Sequence, residues 1–353
     1  MSAARVLVAM SGGVDSSVAA ALAVAAGHEV VGATLKLWGG PSDSGCCSVA
    51  DVADARRVAD RLGIEHHTFA YGDEFERHVV DPYVEAHAAG ATPNPCIECN
   101  RHVKFGALAD RARRLGFDRL VTGHHARVVL DADGRRRLAR GVDRAKDQSY
   151  VLHMLDHDLL GAVELPVGEL TKAEVRARAE ALGLATATKP DSQDLCFVTA
   201  AEGRAAFLGE RMALHPGRVV DAAGSPVGTV TAVELVTVGQ RRGLHLAGGA
   251  TQRYAVDVDV PGRTVRVGSA RDLEVERTAV VAPVWADGPV RGPVRAQTSA
   301  HGEARPAHVA PDESGDGVTV TWQAPVRRVA PGQAVVLYDA ATGELVLGGG
   351  TAA

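Results

Sequence analysis

The hexapeptide Ser11-Gly12-Gly13-Val14-Asp15-Ser16 directly follows the apolar run Arg5-Val6-Leu7-Val8-Ala9-Met10 and precedes an Ala-rich stretch from Ser17 to Ala26. An apolar, β-branched run that ends in paired glycines before such a stretch reads as strand, tight turn and helix. Two glycines let the backbone curl so that successive N–H groups converge. The helix that follows turns the positive end of its dipole toward the same point, and the result is a cradle for phosphate oxygens. The lysine-bearing G-x-x-x-x-G-K-[ST] signature is absent, so this loop is not built to transfer a terminal phosphoryl group. Sulfur supplies the second set of reactive residues. Cys96 and Cys99 form a C-x-x-C within Asn94–Asn100, read as a loop between turn formers, and Cys196 stands in a polar loop, Asp191–Phe197. Three chemistries compete for them. Cys99 and Cys196 could be a redox or sulfur-carrying pair, since thiolates attack sulfane sulfur readily. Cys96, Cys99 and Cys196 could ligate an iron–sulfur cluster with one open iron. Zinc is the third reading, but no fourth ligand stands at a recognisable spacing. Cys46 and Cys47, just ahead of a helix, read as structural.

A chain of 353 residues with 46% hydrophobic and 23% charged content is an ordinary globular composition, long enough for two or three domains. No window approaches 18 uninterrupted apolar residues, and Met1 leads straight into a strand. These features predict no membrane span and no secretory leader, hence a cytoplasmic protein in which cysteines serve chemistry rather than disulfides. The formal net charge is −5, yet Arg101–Lys146 carries 13 Lys and Arg against 5 Asp and no Glu. A basic segment inside an acidic chain is the footprint of a phosphate-backbone contact; the alternative is a solvated face on helices plus a hairpin around Asp131–Gly134.

The elements that must position these residues fall into two textures. Strands are predicted at 30–35, 66–69 and 119–122, and helices near 49–62, 73–89, 105–115 and 172–182. With the first strand–loop–helix unit, this alternation predicts an α/β domain with a parallel sheet. Its ligand would sit at the carboxyl ends of the strands, where Ser11–Ser16 lies. Beyond about Gly203, short Val-rich runs alternate with Gly/Pro turns and predict two small, mainly-β domains. The expected division is a catalytic domain at 1–205, a central β-rich domain at 206–272 and a barrel-like domain at 273–353.

The loop resembles the pyrophosphate loop of ATP pyrophosphatases, which split ATP to AMP and pyrophosphate and so adenylate a substrate oxygen; the fold implied is adenine nucleotide alpha hydrolase-like. Further motifs follow in order: T-P-N-P-C-I-E-C-N, T-G-H at 122–124, G-V-D-R-A-K-D-Q-S-Y, D-S-Q-D-L-C-F, Thr237–Leu244 and Pro331-Gly332-Gln333. Over essentially its whole length, the chain is similar to the bacterial tRNA-specific 2-thiouridylases.

That resemblance implies ATP-dependent replacement of the C2 oxygen of a wobble uridine by sulfur. Ala9, Met10, Ser11, Gly12, Gly13, Val14, Asp15 and Ser16 would hold the nucleotide, with Asp15 helping to place Mg²⁺ and with Leu35 and Gly123 completing the site. Cys196 matches the residue that carries sulfur as a persulfide, and Cys99 matches the nucleophile. Asn94, Pro95 and Cys96 would meet the target base. His124, Lys146, Asp147, Gln148 and Gln333 would contact tRNA. Some relatives carry Asp where Cys96 stands, and the departure keeps open a 4Fe-4S cluster on Cys96, Cys99 and Cys196 as the sulfur source. A cysteine desulfurase or a sulfur carrier is the expected partner. Arg101, Lys104 and Lys189 are candidates to stabilise a thiolate. If the Cys196 thiol is chemical rather than architectural, Cys196→Ser abolishes thiolation while tRNA affinity in a filter-binding assay stays unchanged.

Overall fold

The computed structural model describes residues 3–37, 48–191, 195–198, 203–246, 252–313 and 315–353. Cys46 and Cys47, and Ser192–Asp194 of the Cys196 motif, lie outside them. Along the chain run β1 (Arg5–Ala9), α1 (Val14–Ala25), β2 (Glu29–Lys36), α2 (Val49–Leu62), β3 (Glu65–Ala70) and α3 (Gly72–Phe75). After α4 (Asp81–Ala88) and α5 (Pro95–Glu98) come α6 (Ala109–Arg114), β4 (Arg119–Thr122) and a hairpin of β5 (Ala126–Leu130) and β6 (Arg136–Arg140). Then follow α7 (His157–Gly161), β7 (Val163–Glu164), α8 (Lys172–Ala181) and α9 (Gly203–Gly209).

The chain divides into two compact units, the first made of residues 1–79, 96–201 and 344–347. Its sheet has the order β3-β2-β1-β4-β7, and every pairing is parallel. The strand order reverses at β1. Ala9 stands in register with Ala33 on one side and Thr122 on the other. The loops that leave β1 and β4 therefore diverge around a crevice, the topological switch point where open α/β sheets bind ligands. Alternate residues of β1 serve opposite faces. Val6 and Val8 join Val18, Ala19, Val58, Val175 and Ala179 in the core under α1, α2 and α8, and Leu7 is fully buried as well. Ser48 and Asp51 close a capping box on α2, and Thr171 and Glu174 close one on α8, so both helices start where their sequences say.

The segment around the C-x-x-C is helical, where a loop was expected. Thr92-Pro93-Asn94-Pro95 acts as a start signal, because proline is pre-organised for a first helical turn. Ile97, Cys99, Asn100, Val103, Phe105 and Leu108 are buried. From Cys99 to Leu108 the winding is the wide π form, as it is at Glu76–Val80. Such wide turns are rare and cluster at functional sites. The helix expected from 105 thus begins about ten residues earlier.

The second unit comprises residues 80–95, 202–343 and 348–353. A four-stranded sheet, order β10-β11-β8-β9, uses β8 (Gly217–Val220), β9 (Pro226–Val230), β10 (Tyr254–Asp259) and β11 (Thr264–Gly268). Its core is Val219, Val230, Val233, Ala255, Val265 and Val267. A closed six-stranded barrel follows, built from β12 (Glu274–Trp285), β13 (Gly292–Gln297), β14 (Arg305–Pro311), β15 (Val318–Arg327), β16 (Ala334–Asp339) and β17 (Val346–Ala352). Closure pairs every edge strand, which removes the hazard of an open edge. No helix among the described residues is long and apolar enough to cross a membrane. Leu7→Ala, which empties a fully buried position in the central strand, should cost about 2–5 kcal/mol, read as a lower urea midpoint at unchanged slope.

Candidate functional site

The phosphate loop is shaped by two close approaches. Gly12 is left-handed, with φ 75°, and a Cβ there would stand 2.2 Å from the Asp51 carbonyl oxygen at the start of α2. Only glycine meets both demands. Gly123, directly after β4, would drive a Cβ to 2.5 Å from the Ser16 amide nitrogen, so its lack of a side chain lets the β4 end press against the first turn of α1. That is a packing reason for the glycine of T-G-H. Inside the loop the Ser11 N–H donates to Ser16 Oγ at 3.2 Å, and Ser16 Oγ donates to the Gly13 carbonyl at 3.1 Å. Gly13 is the N-cap of α1 and offers no side chain to cap it, which leaves the helix dipole to an outside anion.

The other expected nucleotide contacts have mixed settings. Val14 and Met10 are buried in the core, and the Met10 carbonyl accepts from Thr34 Oγ1 at 2.7 Å, so these two reach a ligand through backbone only. Leu35 is buried in β2 opposite Phe69. Asp15 has the richest surroundings. Lys172 Nζ donates to both of its oxygens at 2.8 Å, and His125 Nε2 lies 3.0 Å from Oδ1. Burial pushes the Asp15 carboxyl up, but the His125 and Lys172 hydrogen bonds outweigh it and hold it below the ordinary carboxylate value.

Lys172 also reaches Asp191 Oδ1 at 2.8 Å. Arg176 Nη2 meets the same oxygen at 2.8 Å, and Lys146 Nζ reaches Oδ2 at 2.7 Å. Burial alone would raise Asp191, yet Lys146 and Lys172 bring it down to about 2. His125, Lys172, Arg176 and Asp191 were not expected as site residues, because their partners lie at no helical or strand spacing, 15 to 45 positions away around Asp191 and more than a hundred away at Asp15. One local signal existed. Lys172 is the first residue of α8, the helix end where the dipole disfavours a cation.

The three thiols differ in setting: Cys96 is exposed, Cys99 buried and Cys196 half-buried. Phe197, beside Cys196, packs edge-on against Phe75 of α3 with ring centroids 5.7 Å apart. His78, in the wide turns after α3, stacks on His102, three residues past Cys99, at 4.7 Å. Among the described residues, no three His, Cys, Asp or Glu side chains are grouped to hold a metal ion. Cys96, Cys99 and Cys196 are all described, and as placed they do not fit a cluster. Lys189 is committed elsewhere, to Asp51 and Asp54 at 2.6 Å and the Gly12 carbonyl at 3.0 Å.

Of the expected RNA contacts, Lys146 is ion-paired as above. The Asp147 carboxylate accepts from Arg140 Nη1, the Gly141 N–H and Ser149 Oγ at 2.8–2.9 Å, which orders the turn after β6. The Gln148 side chain accepts from the His125 N–H at 2.8 Å. His124 is bonded to Thr122 Oγ1 at 2.7 Å, and burial, then Lys104 and His125, keep its imidazole neutral well below its usual pKa. Asn94, Pro95 and Gln333 fall in the second unit, where Gln333 Nε2 donates to the Thr92 carbonyl. In the hairpin, Arg136 bonds the carbonyls of Leu160 and Val163 and Arg137 bonds Asp131, while Arg135 is exposed at the tip.

Residues 4–200 match the family model for a tRNA methyl transferase HUP domain, residues 205–269 a PRC-barrel domain and residues 275–352 an aminomethyltransferase β-barrel domain. The tRNA-specific 2-thiouridylase MnmA of Mycobacteroides abscessus is 48% identical over 356 residues, 98% of each chain. Its counterpart from Salinispora arenicola is 48% identical over 366 residues, the full length of both. This chain belongs to the tRNA-specific 2-thiouridylase family. Likeness to solved structures is partial. The U34-tRNA thiolase NcsA from Methanococcus maripaludis, solved with its [4Fe-4S] cluster, is 16% identical at a TM-score of 0.36, over 59% of this chain and 62% of that one. A 4-thiouridine synthetase–RNA complex with bound ATP is 16% identical at 0.35, over 57% and 47%.

The ionic cluster makes a measurable claim. The folded Asp191 carboxyl sits at about 2, below the ~3.9 of an unfolded chain. Its stabilisation is therefore complete above about pH 4 and lost as pH falls toward 2. Urea midpoints of the wild type and Asp191→Asn should differ at pH 6 and converge near pH 2; a constant gap would show that the carboxylate does not act through its charge.

Proposed function

We propose that this chain uses ATP to replace the C2 oxygen of a wobble uridine in tRNA with sulfur. One observation carries the reading: the lysine-free phosphate loop, Cys99 and Cys196 all belong to the same compact unit of a chain similar over its full length to 2-thiouridylases. The family-model descriptions speak of methyl transfer, but a glycine loop at the N-terminus of α1 with Asp15 beside it suits nucleotide phosphates.

The chemistry follows from the residues. A ring carbonyl oxygen is a poor leaving group, so the uridine O2 attacks the α-phosphorus of ATP and pyrophosphate departs. The loop backbone from Ala9 to Ser16 holds the phosphates through the α1 N-terminus, and Gly123 borders it. Asp15 is the carboxylate at the loop, and a single carboxylate plus substrate phosphates is the usual way Mg²⁺ is held. The ion would offset phosphate charge there. The terminal sulfur of a Cys196 persulfide then attacks C2, and AMP leaves. The Cys99 thiolate attacks the Cys196 sulfur, which releases the thiolated base and leaves a Cys99–Cys196 disulfide for an external thiol to reduce. The packing of Phe197 on Phe75, and of His78 on His102, supports an approach of the two cysteines. No step runs through an iron–sulfur cluster, whose three thiol ligands are not gathered.

A base in the anticodon must be splayed from its stack to react. Asn94, Pro95 and exposed Cys96 are the proposed base contacts, and His124, Lys146, Asp147, Gln148 and Gln333 the tRNA contacts, with Asp147 and Gln148 acting by ordering the turn that presents Lys146. The work is divided among domains 1–205, 206–272 and 273–353, a division the three family-model matches support. A cysteine desulfurase or a sulfur carrier loads Cys196 in the cytoplasm. Incubating tRNA with the protein, ATP, Mg²⁺ and a persulfide donor, then digesting it for mass spectrometry, should show one oxygen-to-sulfur exchange on a wobble uridine. Cys99→Ser should hold the sulfur on the enzyme as a base–Cys196 adduct; normal turnover by that variant would remove Cys99 from the mechanism.

A further inference from the structure

Asp191 is the meeting point of three cations with different freedom to leave. Arg176 is anchored: besides its bond to Asp191, its Nη1 donates to the carbonyls of Ala187 at 2.7 Å and Lys189 at 3.0 Å. Lys146 is the most solvent-open, with 38% of its side chain exposed. Lys172, 12% exposed, lies between two carboxylates, those of Asp15 and Asp191. Its backbone N–H is fixed by Asp143 Oδ2 at 2.9 Å, so its ammonium can shift while its Cα stays.

We infer that Asp191 is a positioning residue that relays departure of Lys146 toward an RNA phosphate to the nucleotide loop through Lys172. The inference rests on the proposed function for the identity of both ligands. The electrostatics give it a sign. While Lys146 sits on Asp191 Oδ2, Lys172 is shared between the two carboxylates, 2.8 Å from Asp191 Oδ1 and 2.8 Å from both oxygens of Asp15. When RNA draws Lys146 off, Asp191 keeps only Arg176 and Lys172, its negative potential rises, and the shared lysine shifts from Asp15 toward it. Asp15 then keeps only His125, on one oxygen, and the other is released for the nucleotide's counter-ion. Without RNA the loop is held closed to cleavage by its own lysine, and ATP is not spent on water.

The test needs no RNA in its decisive arm. ATP cleavage to AMP and pyrophosphate, with water as the acceptor oxygen, is measured for wild type, Lys146→Gln, Asp191→Asn and the double variant. Lys146→Gln mimics the departed lysine and should raise RNA-free AMP formation several-fold. In the Asp191→Asn background the same change should do nothing, and Asp191→Glu should restore the response. A Lys146→Gln rate equal to or below wild type overturns the relay, and so does an equal rise with Asp191→Asn present. Binding of a fluorescent ATP analogue by each variant shows that the loop is folded. Thiolation of tRNA by the wild type is scored separately, so a protein that shows the relay but adds no sulfur would sink only the reading of its substrate.

Discussion

The ammonium of Lys172, set between the carboxylates of Asp15 and Asp191, is the interaction on which the arrangement of the first unit depends. Three pieces of chain meet there: the turn after β1, the first residue of α8 and the segment that leads to Cys196. Each brings a charge that would be costly to bury alone, and each is stabilised by the others. The lysine at the start of a helix opposes the local dipole, and two anions offset that. The network also brings a cation to the carboxylate of a loop that has no lysine of its own, from a helix far along the chain.

The sheet supplies the stage for this. Because strand order reverses at β1, the crevice between the β1 and β4 loops is a consequence of topology rather than of particular side chains. Gly123 and Gly12 then tighten it, one by pressing against α1 and the other by turning under α2. Lys189 adds a second clamp, from the same segment that carries Asp191, onto the Gly12 carbonyl. The phosphate loop and the segment that leads to Cys196 are thereby tied at two points and share one scaffold.

Much of this was legible in the residues. Capping signals at Ser48 and Thr171 mark the starts of α2 and α8, and the alternation of apolar runs gives four of the five parallel strands almost residue by residue, the two-residue β7 being too short to show. The hairpin turn at Asp131–Gly134 carries its own sign in the Asp and Gly residues. The helical C-x-x-C was not legible, because Thr92–Pro95 reads equally as a loop or as the start of a helix, and only burial of Ile97, Cys99 and Asn100 decides it. Lys172, His125 and Asp191 were missed for a different reason. Ion pairs between distant positions leave no periodicity, and only the misplaced charge at the start of α8 hinted at one. Conversely, Asp147 draws notice as a charged residue in a motif, while its carboxylate is spent on local order.

The wide winding between Cys99 and Leu108 has a consequence for how this segment tolerates change. A π turn holds one more residue than the α form, so deleting a single residue there would let the helix relax to a better-bonded geometry. The same deletion would swing everything ahead of it by about 100° around the axis, taking Cys99 from the interior to another face. The thiol's placement thus depends on an imperfect helix, and length variation in this stretch would turn Cys99 and buried Ile97 away from the interior together.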